Sequence, residues 1–133
     1  MPHRDELYMA RAIEIAKNSR RFSSPNPCVG AVIVHQDKII AEGYTSIYGG
    51  AHGEINALKK VKNPNILSES TLYVTLEPCA HEGKTPSCAK KIAEVKPKRV
   101  VIGMLDPFEK VNGEGLKILQ FKIRYKFAYF LIC

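Results

Sequence analysis

The chain has 133 residues, 45% of them hydrophobic and 25% charged, with 20 Lys+Arg against 13 Asp+Glu for a formal net charge of +7. That is one domain, large enough to bury roughly two thirds of its unfolded surface without disulfide staples, and its composition excludes a disordered chain. No apolar run approaches the ~20 residues of a membrane-spanning helix.

The start, Met1 to Glu6, is polar and has no apolar signal core, so the expected location is cytoplasmic and reducing. Asp5 is placed to cap a helix running to about Asn18, with Met9, Ala12, Ile13 and Ala16 on one face. Ser19 to Pro27 reads as a loop. Val29 to His35 is an apolar, β-branched strand, turned by Gln36-Asp37-Lys38 into a second strand, Ile39 to Tyr44. Gly49-Gly50 breaks the chain before a helix from about His52 to Val61. Thr71 to Leu76 is a third strand. A loop then leads to a helix from about Pro86 to Val95, with Pro86 suited to its first turn. Arg99 to Leu105 is a fourth strand, Gly115 to Phe121 is helical, and Lys122 to Cys133 gives a last strand. Strands separated by helices need crossovers, so the expected fold class is α/β: three α/β/α layers around a mixed sheet of about five strands. Sites in such sheets form outside strand ends, beside helix N-termini.

Two segments at such places carry the chemistry: His52-Gly53-Glu54, and the run from Pro78-Cys79 to Cys88. Singly, each has an ordinary structural explanation: a helix-start His, two independent thiols, and a Glu favoured by the first turn. Jointly they describe one site. In a reducing compartment cysteines serve as metal ligands or catalytic groups more readily than as bridges. One imidazole (His52) and two thiolates (Cys79, Cys88) suit Zn²⁺ and leave its fourth position open for water, as in catalytic zinc sites. Zinc lowers the pKa of that water from ~15.7 towards ~7. Glu54, not itself a ligand, can take the proton and hand it on. Mid-helix, positions i and i+2 diverge by about 200°, so this reading requires His52 at the open helix end. Competing motifs fail: Gly83-Lys84-Thr85 lacks the first P-loop glycine, and Thr85 stands where His81-Glu82 would need a second metal-binding His. Cys28 and Cys133 have no partner pattern and are read as buried thiols. Lysines outnumber arginines 14 to 6 and are scattered, which fits a solvated surface better than a base-reading one.

His-x-Glu followed by Pro-Cys and a second Cys is the zinc-deaminase signature. With the Cys-x₈-Cys loop holding His81 and Lys84, and with Ser24-Pro25-Asn26-Pro27, Tyr48-Gly49-Gly50, Thr71 to Cys79 and Met104-Leu105-Asp106-Pro107, the chain resembles the deaminase domain of bacterial bifunctional riboflavin-biosynthesis enzymes from about residue 7 to residue 123. The resemblance implies a cytidine-deaminase-like fold. It also implies hydrolytic removal of the 2-amino group of 2,5-diamino-6-(5-phosphoribosylamino)pyrimidin-4(3H)-one, yielding 5-amino-6-(5-phosphoribosylamino)uracil and ammonia. His52, Cys79 and Cys88 match the family's zinc ligands and Glu54 its proton shuttle, while Asn26, His81 and Lys84 match positions used around the substrate. Gly53 replaces the family's usual Ala, Thr45 a substrate-facing His of some members, and Phe108 the usual Asn. The family normally continues into an NADPH-dependent reductase domain. The expectation here is a single deaminase domain over residues 1–133, with reduction by a separate protein. The expected partner is a phosphorylated pyrimidine, drawn by the basic balance, with no membrane or nucleic-acid partner. Phe127 to Cys133 offers a terminal strand or a homo-oligomer contact. Two alternatives stand beside this reading: a deaminase of another nucleobase, nucleoside or tRNA, and a non-enzymatic zinc-stabilised RNA-binding domain with a closed four-ligand site.

Overall fold

The computed structural model describes residues 2–20, 28–46, 51–79, 87–104 and 125–127. Helix α1 (Pro2–Ala16) runs into a 3₁₀ turn, Lys17–Ser19. Strands β1 (Gly30–His35) and β2 (Lys38–Tyr44) form the hairpin, followed by α2 (Gly53–Lys59), a 3₁₀ segment (Pro64–Glu69), β3 (Thr71–Val74), α3 (Cys88–Val95), β4 (Arg99–Ile102) and β5 (Tyr125–Phe127). The five strands lie in the order β2-β1-β3-β4-β5. The β1–β2 and β1–β3 pairs are antiparallel, and β3–β4 and β4–β5 are parallel. This is the mixed sheet that the helix-separated strands require.

The hairpin closes through Gln36 and Asp37, both at positive φ (50° and 62°), the two-residue turn whose twist matches that of its strands. Ile33 pairs with Ala41 and Val34 with Ile39, so Ile40 is the extra residue of a bulge on the edge strand β2. Alternation divides the strands between two cores. Ala31, Ile33, Leu72, Val74, Val100 and Ile102 pack with Ala57 of α2 and Ala89, Ile92 and Ala93 of α3. Val32, Val34, Tyr73 and Val101 face Met9, Ala12 and Ile15 of α1. The sheet is thus the middle of three layers.

Two expectations are corrected and one further segment is assigned. Asp5 does not cap α1: the helix starts at Pro2, and Asp5 is buried in its first turn. Its carboxylate accepts the Tyr73 hydroxyl at 2.7 Å and the Arg99 guanidinium at 2.9 Å, tying α1 to β3 and β4. Helix α3 starts at Cys88, not Pro86, because the Ser87 side chain accepts from the Lys90 N–H at 3.2 Å and fixes the first turn there. The Asn63-Pro64 pair, left unassigned above, opens a 3₁₀ segment in which Asn63 Oδ1 accepts from the Asn65 N–H. Of the last strand only Tyr125–Phe127 is described. The helix expected at Gly115 to Phe121 lies outside the described residues.

The Asp5 network makes a testable demand on stability. Removing the carboxylate strands the Tyr73 hydroxyl and a partly buried guanidinium, so Asp5→Ala should cost about 2–3 kcal/mol. Urea unfolding of the two proteins side by side measures it.

Candidate metal centre

The chemistry-bearing segments meet at one end of the sheet, where β1 begins and β2 and β3 end. Beyond β3, Thr75 N–H donates to the Gly30 carbonyl at 3.0 Å and Glu77 N–H to the Met104 carbonyl at 2.8 Å, which carries the chain on to Cys79. The α3 start is bound onto Cys79: Ala89 N–H donates to its carbonyl at 3.0 Å, and Cys88 N–H to its sulfur at 3.3 Å. From the other side, α2 presents His52 and Glu54. His52 is the N-cap in extended conformation (φ −74°, ψ 167°), and its side chain makes no capping hydrogen bond. The objection that i and i+2 diverge on a helix therefore does not apply, since only Glu54 is helical.

Two glycines seat α2. A Cβ on Gly53 would lie 2.6 Å from the Val29 carbonyl oxygen, and one on Gly43 would lie 2.5 Å from the Gly53 carbonyl oxygen and 2.4 Å from the Ala57 nitrogen. Backbone presses on backbone at these points, so Gly53 is a packing requirement here as well as a helix penalty. Thr45 is buried against the same residue: its hydroxyl accepts from Val29 N–H at 2.9 Å, and its own N–H donates to the Val29 carbonyl.

The imidazole Nδ1 lies 3.1 Å from Cys88 Sγ and 3.8 Å from Cys79 Sγ, and all three donor atoms fall within 4.8 Å of one another. A tetrahedral zinc with sulfur at about 2.3 Å and nitrogen at about 2.1 Å separates its ligand atoms by roughly 3.5–3.8 Å, so the donor set fits. Among the described residues no fourth His, Cys, Asp or Glu joins the group. Glu54 is buried, and its Oε1 has no hydrogen-bond partner among the described residues. An orphaned carboxylate oxygen beside three converging donors is what an absent dication and its water would satisfy.

The protonation of these groups is interlocked. Hydrogen bonding to Cys88 draws the Cys79 thiol down to about 4, with help from His52 and the Cys88 N–H. Cys88 is pushed up, because it holds the proton the two sulfurs share and because it is buried. The hydrogen bond to Cys79 raises His52. Burial pushes the Glu54 carboxyl up to about 7, against the opposing pull of its own backbone N–H and of His52.

The sequence from residue 2 to residue 104 matches the family described as cytidine and deoxycytidylate deaminase zinc-binding region. The chain belongs to that zinc-binding deaminase family. Over 119 residues it is 46% identical to the diaminohydroxyphosphoribosylamino-pyrimidine deaminase of Buchnera aphidicola from Schizaphis graminum, covering 90% of this chain and 80% of that protein. It is 44% identical over 116 residues to the riboflavin biosynthesis protein RibD of Escherichia coli K12, covering 87% of this chain and 31% of that protein. The crystal structure of the Thermotoga maritima diaminohydroxyphosphoribosylaminopyrimidine deaminase/5-amino-6-(5-phosphoribosylamino)uracil reductase superposes with a TM-score of 0.84 at 44% identity, over 94% of this chain and 36% of that one. The fold expected from the sequence is the fold of this family.

Of the residues the sequence singled out, His52, Glu54, Cys79 and Cys88 are brought together. Asn26, His81, Lys84, Phe108 and Cys133 lie outside the described residues. Cys28 is exposed, not buried as expected. Sequence reading missed Asn56, one turn after His52, whose amide ties the β2–α2 connection.

Glu54 gives the metal-free deaminase a pH dependence. Its carboxyl titrates at about 7 when folded, against 4.5 as the ordinary value, so the folded state holds the proton more tightly. Below about pH 4.5 both states carry the proton, and as pH rises through about 7 that folded-state advantage is lost. Relative to Glu54→Gln, the metal-free wild type should therefore lose stability over this window, by something on the order of 3 kcal/mol. Unfolding both proteins in chelator from pH 4 to 8 reads the difference directly.

Proposed function

We propose that the chain hydrolyses the 2-amino group of 2,5-diamino-6-(5-phosphoribosylamino)pyrimidin-4(3H)-one, forming 5-amino-6-(5-phosphoribosylamino)uracil and ammonia in riboflavin biosynthesis. The observation that carries this reading is the convergence of His52, Cys79 and Cys88 beside the orphaned Glu54 carboxylate. The 46% identity to a protein named for this reaction supports the substrate. His52 Nδ1, Cys79 Sγ and Cys88 Sγ hold the metal. When bound, zinc supplies Lewis acidity that makes water nucleophilic at neutral pH.

The remaining steps belong to the protein. Glu54, buried beside the three donors, accepts the proton released as water oxygen bonds to the ring carbon bearing the amine. It then delivers that proton to the departing nitrogen as the C–N bond breaks and ammonia leaves, while the proton left on the new hydroxyl passes to the ring nitrogen to give the ring carbonyl. The low-dielectric surroundings keep Glu54 protonated long enough to act as an acid after acting as a base. Asn26, His81 and Lys84 contact the substrate, with Lys84 as the cation for its phosphate or a polar ring edge. The Thermotoga protein is named for this deaminase activity together with the reductase activity that acts on its product. No described helix is long and apolar enough to cross a membrane, in keeping with a cytoplasmic enzyme on a small-molecule substrate.

Zinc-loaded wild type should release ammonia from the phosphoribosyl substrate, and Glu54→Gln should lower kcat by about 10²–10⁴-fold while retaining zinc. Wild type that is inert on this substrate but deaminates guanine, cytidine or tRNA would move the assignment to that substrate. Lys84→Ala should raise KM by roughly 10–100-fold, the loss of one charge-assisted hydrogen bond, with kcat little changed. Steady-state kinetics on the same substrate separates the two parameters.

A further inference from the structure

Asn56 sits in the second turn of α2, partly buried, and its side-chain nitrogen faces three acceptors. Nδ2 lies 2.7 Å from the Tyr44 carbonyl at the end of β2, 2.8 Å from Ser46 Oγ, and 3.2 Å from the Ala51 carbonyl immediately before His52. Two of these are main-chain carbonyls, which only accept, so the amide orientation is set and an ionised carboxylate at this position would have nothing to donate. Asn56 also gives its backbone N–H to the His52 carbonyl at 3.0 Å, and Ser46 N–H donates to the Ala51 carbonyl at 3.0 Å. Asn56 thus ties Tyr44 and Ser46, on the β2 side of the connection, to Ala51 on the α2 side.

The consequence falls on His52. It stands at a helix N-cap, where the backbone is extended and the side chain gives no capping bond to hold the residue in place. Its ring must nevertheless meet two sulfurs from other elements, at 3.1 and 3.8 Å. Asn56 bonds the peptide planes on both sides of the His52 Cα: the Ala51 carbonyl, which it shares with the Ser46 N–H, on one side and the His52 carbonyl on the other. We propose that Asn56 is a positioning residue of the metal centre: its amide and backbone N–H hold the His52 backbone so that Nδ1 is aimed at the sulfurs of Cys79 and Cys88 before metal arrives. This rests on the assignment of His52, Cys79 and Cys88 as ligands, and Asn56 itself touches neither metal nor substrate.

The test uses the full chain in metal-free form, with zinc affinity measured by competition against a chromophoric chelator and ligand geometry read from the thiolate-to-cobalt absorption of the Co²⁺ form. Asn56→Ala and Asn56→Asp should keep the wild-type circular dichroism, weaken zinc about 10–100-fold and alter the cobalt spectrum. Ser70→Ala removes a buried 2.7 Å hydrogen bond to the Ile66 carbonyl at the opposite end of β3. It is the control for stability loss alone and should bind zinc within about twofold of wild type, since it leaves the ligands' supporting hydrogen bonds intact. Asn56 variants that match wild type in affinity and spectrum overturn the proposal. So does failure of both to fold without metal, which would make Asn56 a residue of the fold and not of the site. Cys88→Ser separates the two readings: if it retains full zinc affinity, the ligand assignment falls, and the Asn56 proposal falls with it; if it loses zinc while the Asn56 variants do not, only the Asn56 proposal falls.

Discussion

A carboxyl group buried beside two sulfurs and an imidazole, with one oxygen unpaired among the described residues, is the constraint around which this fold is organised. Left uncompensated, such a group costs several kcal/mol. The simplest relief would be for α2 to shift outward and admit solvent, and the packing opposes that. Gly43 and Gly53 let the α2 backbone rest directly on β1 and β2. Ala57, one turn on, is fully buried in the core that α2 shares with α3. The helix carrying Glu54 is therefore held by main-chain contact and apolar burial, both insensitive to the charge of the carboxylate. The rest of the domain sustains a locally unfavourable site, the arrangement expected where local rules are broken for function.

The two ends of the sheet divide the labour. At the end where β3 and β4 begin, polar groups are paired: Asp5 with Tyr73 and Arg99, and Arg4 with Asp37 at the hairpin turn. At the end where β3 finishes, His52, Cys79 and Cys88 converge beside a Glu54 oxygen that has no hydrogen-bond partner among the described residues. The same strands serve both. Tyr73 turns its side chain towards α1 and the Asp5 network, while its neighbours Leu72 and Val74 pack under α2 and α3. A short strand, buried on both faces, thus transmits a fixed spacing from the paired end to the reactive one, and the interior is too densely packed to absorb a displacement between them.

What could be read from the sequence follows the range of the interaction involved. The hairpin was legible because an apolar, β-branched run and the turn that ends it are local, although the turn is Gln36-Asp37 alone and β2 already begins at Lys38. The metal centre was legible because its residues carry rare chemistry at a recognisable spacing, even though the fold must bring Cys79 and Cys88 to His52 from 27 and 36 residues away. Asp5 was misread because a helix-start aspartate is ordinarily a cap, and only the tertiary arrangement supplies Tyr73 and Arg99, 68 and 94 residues distant. The start of α3 moved by two residues because Ser87 is the stronger local cap and Pro86 merely tolerates a first turn. Asn56 was passed over because an asparagine inside a helix carries no signal of its own. Its meaning lies in three acceptors that converge only when the connection from β2 is folded back.

Thr45 sharpens where substrate selection must reside. The Thr45 side chain is buried and turned inward. Its hydroxyl takes the Val29 N–H, and its N–H takes the Val29 carbonyl, the same oxygen against which Gly53 is packed. Reaching out to a ligand would forfeit those bonds and disturb the seat of α2, and with it Glu54. The position has become part of the support for the reactive carboxylate. The substrate contacts proposed above accordingly fall to other positions, Asn26, His81 and Lys84.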